Sequence, residues 1–119
     1  MNRLNILIGF ALLLISTLIT ALWWTYIHPD FDVQLRNCTE MEDLNERFNC
    51  QYSLKDAAST IQEKVEIEDI LGNTEFLRLN LEAAKIHFKK AFHLCPEEEK
   101  DEKARIGREI EAINGLLEK

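Results

Sequence analysis

From Leu4 to Ile27 the chain runs 24 residues without a formal charge, and that run limits what the rest can become. At about 1.5 Å per residue a helix of this length reaches about 36 Å, enough to cross a hydrocarbon core of about 30 Å with some tilt. Trp23, Trp24 and Tyr26 cluster at its far end, where amphipathic rings favour the membrane–water interface. A cleaved signal peptide is the competing reading. Its apolar region normally spans about 7–15 residues and ends at a small-x-small cut site, a pattern that Ile19 spoils ahead of Ala21. The expectation is an uncleaved transmembrane anchor over residues 1–28.

Orientation follows from charge. Arg3 and the amino terminus precede the run, whereas Asp30 and Asp32 follow it and the next cation is Arg36. The positive-inside tendency keeps the N-terminus in the cytoplasm and exports everything after His28. In a bacterium this places the chain in the inner (cytoplasmic) membrane, held through residues 4–27, with its C-terminal part in the periplasm. That part carries 13 of the 14 Lys and Arg and all 21 Asp and Glu, a net charge of −8. Such a surface repels nucleic acid, and no basic block with interleaved aromatics argues otherwise. Ser16, Thr17 and Thr20 offer polar groups for helix association in the bilayer, so an oligomer is possible. Gly9, however, has no small residue four positions on to complete a tight-packing motif.

After residue 29 the pattern is helical throughout, with few glycines and prolines and no alternating strand-like run. Gly72 lies within a periodic apolar stretch (Ile67, Ile70, Leu71, Thr74, Leu77) and needs a packing reason. Asn80 reads as a break or N-cap, Pro96 as a stop, and Glu97-Glu98-Glu99 as the acidic opening of a last helix. These signals predict helices over 65–79 and 81–95, joined by one or two residues and therefore antiparallel. A third helix runs to about Leu117 with Ile106, Ile110, Ile113 and Leu117 on one stripe. Close approach of the pair is expected at Gly72 and Ala84, with Ala91 admitting the next element.

Residues 71–96, LGNTEFLRLNLEAAKIHFKKAFHLCP, resemble the tetratricopeptide repeat (TPR), whose 34-residue pattern places Leu-Gly, Ala, an aromatic, Ala and Pro at set distances. Leu71-Gly72, Ala84, Phe88, Ala91 and Pro96 match it. Glu68 stands where the pattern has Trp, and Glu75 where it has Tyr. Stepping back 34 residues puts Cys38 at the Gly72 position, Cys50 at Ala84 and Ala57 at Ala91. Residues 29–64 thus look like a degenerate TPR-like hairpin ahead of the repeat at 65–98, with 99–119 as a capping helix. The resemblance implies an all-α fold: a single transmembrane helix, then a small domain of TPR-like hairpins with a C-terminal cap. It also places Cys38 and Cys50 where facing helices approach, which predicts a disulfide between them in an oxidising compartment. By chain-entropy estimates this staple contributes about 3 kcal/mol. Cys95 is left over, either unpaired or bonded to another chain.

His87, His93 and Cys95 fall close in sequence, but their spacings of six and two put them on different helix faces, so a surface histidine pair is expected rather than a metal site. The carboxylates are expected on solvated faces, and no nucleophile motif or phosphate-binding loop is present. Neither catalytic residues nor a cofactor is expected; an enzyme is disfavoured. By resemblance, the first helix of the repeat lines a concave groove for a protein partner, made here by Glu66, Asp69, Asn73, Phe76 and Leu77. Asp69 stands where carboxylate-binding repeats have lysine, which favours a basic or apolar partner. Phe76 and Leu77 have a plainer alternative, packing against the degenerate hairpin. Two functional readings result. One is a membrane-anchored interaction or scaffold module supporting an envelope assembly; the other is a small immunity or inhibitor protein blocking an effector in the same compartment. A reversed topology would instead resemble mitochondrial import receptors.

Overall fold

The structure, a computed structural model, describes residues 2–27 and 30–119. It is helical, with no strand among the described residues. Two units divide the chain at Asp30–Phe31. The boundary expected at residues 28 and 29 lies outside the described residues, as does the Tyr26 side chain.

The first unit is one helix, α1 (Arg3–Ile27). Within it Arg3–Trp24 is the one helix among the described residues long and apolar enough to cross a membrane, and none of it is buried by protein. The Thr17 hydroxyl donates to the Leu13 carbonyl and the Thr20 hydroxyl to that of Ser16, both at 2.9 Å. Each satisfies its own donor within α1 by bonding back to the carbonyl four residues earlier.

The second unit holds α2 (Phe31–Thr39), α3 (Leu44–Ser53), a single 3-10 turn at Lys55–Ala57, α4 (Ile61–Leu77), α5 (Leu81–Leu94) and α6 (Lys100–Leu117). Caps set the boundaries. Asp43 accepts from the Glu46 amide at 2.9 Å and opens α3. Thr60 and Glu63 form a reciprocal capping box, with Glu63 also accepting from the Ser59 amide and hydroxyl. That box starts α4 at Ile61, four residues before the expected start at 65.

The α4–α5 connection is three residues, Arg78 to Asn80, rather than one or two. Leu79 adopts φ of 64°, its amide bonding to the Phe76 carbonyl and that of Asn80 to Glu75. This is a Schellman ending with leucine where glycine is usual. Leu79 therefore makes the break attributed to Asn80, whose side chain caps nothing. The last helix opens at Lys100, not at Glu97; Glu97 to Glu99 stay in the turn, where Glu97 pairs with Lys103 at 2.6 Å.

Helix α4 is central because two of its faces are buried. Ile67 and Leu71 join Phe31, Leu35, Cys38, Leu54 and Ala58 in a core shared with α2 and α3. Val65 joins Ala84, Phe88, Ala91, Ile106 and Ile113 in a second core shared with α5 and α6. Ile110 and Leu117 pack at its margin, so the apolar stripe of α6 covers α5 as a cap would. A Cβ on Gly72 would sit 2.9 Å from two carbons of the buried Phe88 ring. The close approach at Gly72 exists, but Phe88 rather than Ala84 occupies the space above it. A Cys38–Cys50 disulfide joins α2 to α3 with the Cα atoms 5.3 Å apart. A bond of this kind fits an oxidising compartment.

Candidate protein-interaction face

Five residues of α4 were singled out for a groove. Glu66, Asp69, Asn73 and Phe76 recur at helical spacing and share one face, with Leu77 beside them. Their surroundings differ. Glu66 is exposed and lines two adjoining clefts. The first, of about 760 Å³, lies between α2 and the N-terminal half of α4 and includes Asp32, Arg36, Glu40, Glu63 and Ile70. The second, of about 400 Å³, lies between α4 and the start of α6 and includes Asp69, Glu99 and Glu102. Gln62 and Glu66 belong to both.

The joined clefts are acidic, and the carboxylates feel one another. Burial, followed by repulsion from Asp32, Glu63 and Asp69, raises Glu66 above its ordinary 4.5. Burial likewise raises Asp69, opposed by Arg105, which reaches from α6 to donate to it at 2.8 Å. The same guanidinium donates to Glu102 at 2.6 Å. Asp69 is thus partly committed to holding α6 against α4, and its second oxygen is buried without a hydrogen-bond partner among the described residues. Asn73, Phe76 and Leu77 continue the face beyond the clefts. Phe76 is 40 % exposed and Leu77 53 %, so neither packs into the α2–α3 side as a core residue would.

Two sequence expectations need correction, the solvated carboxylates and the surface histidine pair. Glu68 and Glu75 are buried, not solvated. His87 is buried too, so of the expected surface pair His93 alone is exposed. The carboxylate of Glu68 has no proton to give, so His87 Nδ1 carries the hydrogen of their 2.7 Å contact. Lys55 meets the other Glu68 oxygen at 3.0 Å. Burial, the largest influence, pushes Glu68 up, but the hydrogen bonds from His87 and Lys55 outweigh it and hold it below 4.5. Glu75 is met by Arg78 at 2.7 Å, and the Arg78 guanidinium lies over the Phe48 ring at 4.6 Å. Asp69, half-buried, is the third departure from a solvated face.

A signal for Glu68 and Glu75 was present: both stand where the 34-residue pattern has buried aromatics. A carboxylate at such a site needs a compensating partner. Gln51 gave no such signal. Fully buried, its Oε1 accepts from the Thr74 hydroxyl at 2.7 Å and its Nε2 donates to Thr39 Oγ1 at 3.2 Å. Thr39 in turn donates to the Leu35 carbonyl at 2.7 Å. This relay joins α4, α3 and α2 beside the disulfide.

His87, His93 and Cys95 do not converge. His87 turns to Glu68, His93 is exposed beside Phe92, and Cys95 is a free thiol buried in the second core. Burial and then Glu99 and Glu102 raise that thiol above its ordinary value, which keeps it protonated and unreactive. No protein-family model matches the chain, and neither does any curated protein or solved structure.

Proposed function

We propose that the chain is a membrane-anchored interaction module: α1 spans the inner membrane, and a TPR-like helical domain on the periplasmic side holds a protein partner within an envelope assembly. The observation that carries this reading is the pair of adjoining acidic clefts walled by α2, α4 and α6, the first helix of each successive hairpin and the cap. Mutual repulsion around Glu66 is relieved when a cation enters, so a partner segment rich in Lys or Arg is favoured over an acidic one. Phe76 and Leu77 extend the same face with apolar surface suited to an aliphatic side chain of that segment. A shallow site suffices, because confinement to a membrane raises the effective concentration of a membrane partner.

The test uses the full chain in lipid nanodiscs with two fluorescent extended peptides, one Lys/Arg-rich and one with Asp/Glu in their place. The basic peptide is expected to bind, to weaken as salt rises, and to lose about tenfold or more with Glu66→Lys. Equal binding of both peptides, or indifference to Glu66→Lys, would remove the cleft from the account.

A further inference from the structure

Against a domain of net charge −8, the outer face of α5 stands apart. Its inner face, Ala84, Phe88 and Ala91, is spent on the core. Outward it presents Lys89, Lys90 and His93, with Lys85 at the margin and Glu82 as the one acidic residue of the helix. Among the described residues none of the three lysines forms an ion pair, so their charge is free to meet a partner. Within this basic strip Ile86 is 54 % exposed and Leu94 40 %, spaced two helical turns apart on the same side. A face that combines cations with exposed apolar side chains has the composition of a docking surface for an acidic, partly apolar site. The acidic cleft on the opposite helix layer has the reverse charge, with Asp32 and Glu66 unpaired among the described residues and Ile70 on its wall.

We infer that the α5 strip of one copy docks in the α2–α4 cleft of a second copy, Lys89 and Lys90 meeting Asp32 and Glu66. This rests on the cleft being a binding face, as proposed above, and makes a second copy one of its occupants. Because the two surfaces are different, the contact is head-to-tail, giving rows with one strip and one cleft open at the ends, or rings where the rotation closes, rather than a twofold pair. Shared confinement in a membrane plane raises the local concentration and lets a salt-sensitive contact operate.

The experiment reconstitutes an equimolar mixture of isotopically light and heavy full-length chains in liposomes. A carbodiimide, which joins Lys to Asp or Glu only in direct contact, is added at low and high salt, and mixed-isotope peptides are read by mass spectrometry. Expected are light–heavy links from Lys89 or Lys90 to Asp32 or Glu66 that fall about tenfold or more at high salt. Lys89→Glu/Lys90→Glu and, separately, Asp32→Lys/Glu66→Lys each abolish association. Mixing the two variants restores it, since the reversed strip fits the reversed cleft. Overturning results are a chain that stays single at every density, links confined to other surfaces, or no rescue on mixing. If self-association fails while the Lys/Arg-rich peptide still binds, the cleft reading survives and only this inference falls. Loss of both removes both.

Discussion

Leu79 holds a left-handed backbone that costs a non-glycine residue about 1 kcal/mol, and its side chain is 84 % exposed, so no packing repays that strain. Leu79→Gly is therefore expected to raise stability by about 0.5–1 kcal/mol in urea denaturation, with helix content unchanged. Gly72 behaves oppositely. Alanine is the better helix former by about 1 kcal/mol, but its Cβ would press on the buried Phe88 ring. The overpacking term, about 1–3 kcal/mol, wins, and Gly72→Ala is expected to be net destabilising in the same measurement. The contrast shows what a sequence discloses at this scale. A glycine inside an apolar helix announces a close contact, whereas a leucine bent into a glycine conformation leaves no compositional trace. Buried Gln51 and Thr74 are equally silent, because each is satisfied by a partner far along the chain.

Between elements, three devices hold a small domain together: the α2–α3 disulfide, the Thr39–Gln51–Thr74 relay and the Lys55–Glu68–His87 cluster. Replacing both Cys38 and Cys50 by alanine is expected to cost about 2–3 kcal/mol and to loosen α2 first, which amide hydrogen exchange would localise to Phe31–Thr39. The Glu68 cluster has a signature in pH. A carboxylate held below its ordinary 4.5 contributes stability fully present above that value and lost as pH falls through the folded one. Glu66 and Asp69 are raised and act with the opposite sign, since protonating them favours the native state. Comparison with Glu68→Gln isolates the cluster: the wild-type advantage at pH 7 is expected to shrink as pH drops below 4.5. A constant gap would contradict it. The order of the last three helices was legible here from periodicity and the disulfide pair from a 34-residue offset, while α2 and α3 were foreseen only as a hairpin. The start of α4 was not, although Thr60 and Glu63 carry the spacing of a capping box, because apolar periodicity begins only at Val65. Nor was the turn after Cys95, where three glutamates look like a helix opening but one of them pairs with Lys103 instead.

For the whole molecule, an apolar helix long enough to cross a membrane, a disulfide and an acidic cleft are the three observations behind the proposed function, a tethered domain in an oxidising space with a cationic partner. The helical class and the candidate span could be read from residue patterns alone. The cleft could be only half read, since Glu66 marks it but Asp32 and Glu102 come from helices, and Glu40 from the turn after α2, whose approach no local pattern encodes. The compartment is the premise on which the rest stands, and its cysteines report it directly. Native membranes are denatured in a thiol-blocking reagent without reductant, and modified cysteines are counted on the intact chain by mass spectrometry. The account predicts one modification, at Cys95, rising to three only after reduction. Three modifications before reduction would place the domain in a reducing compartment and contradict the account.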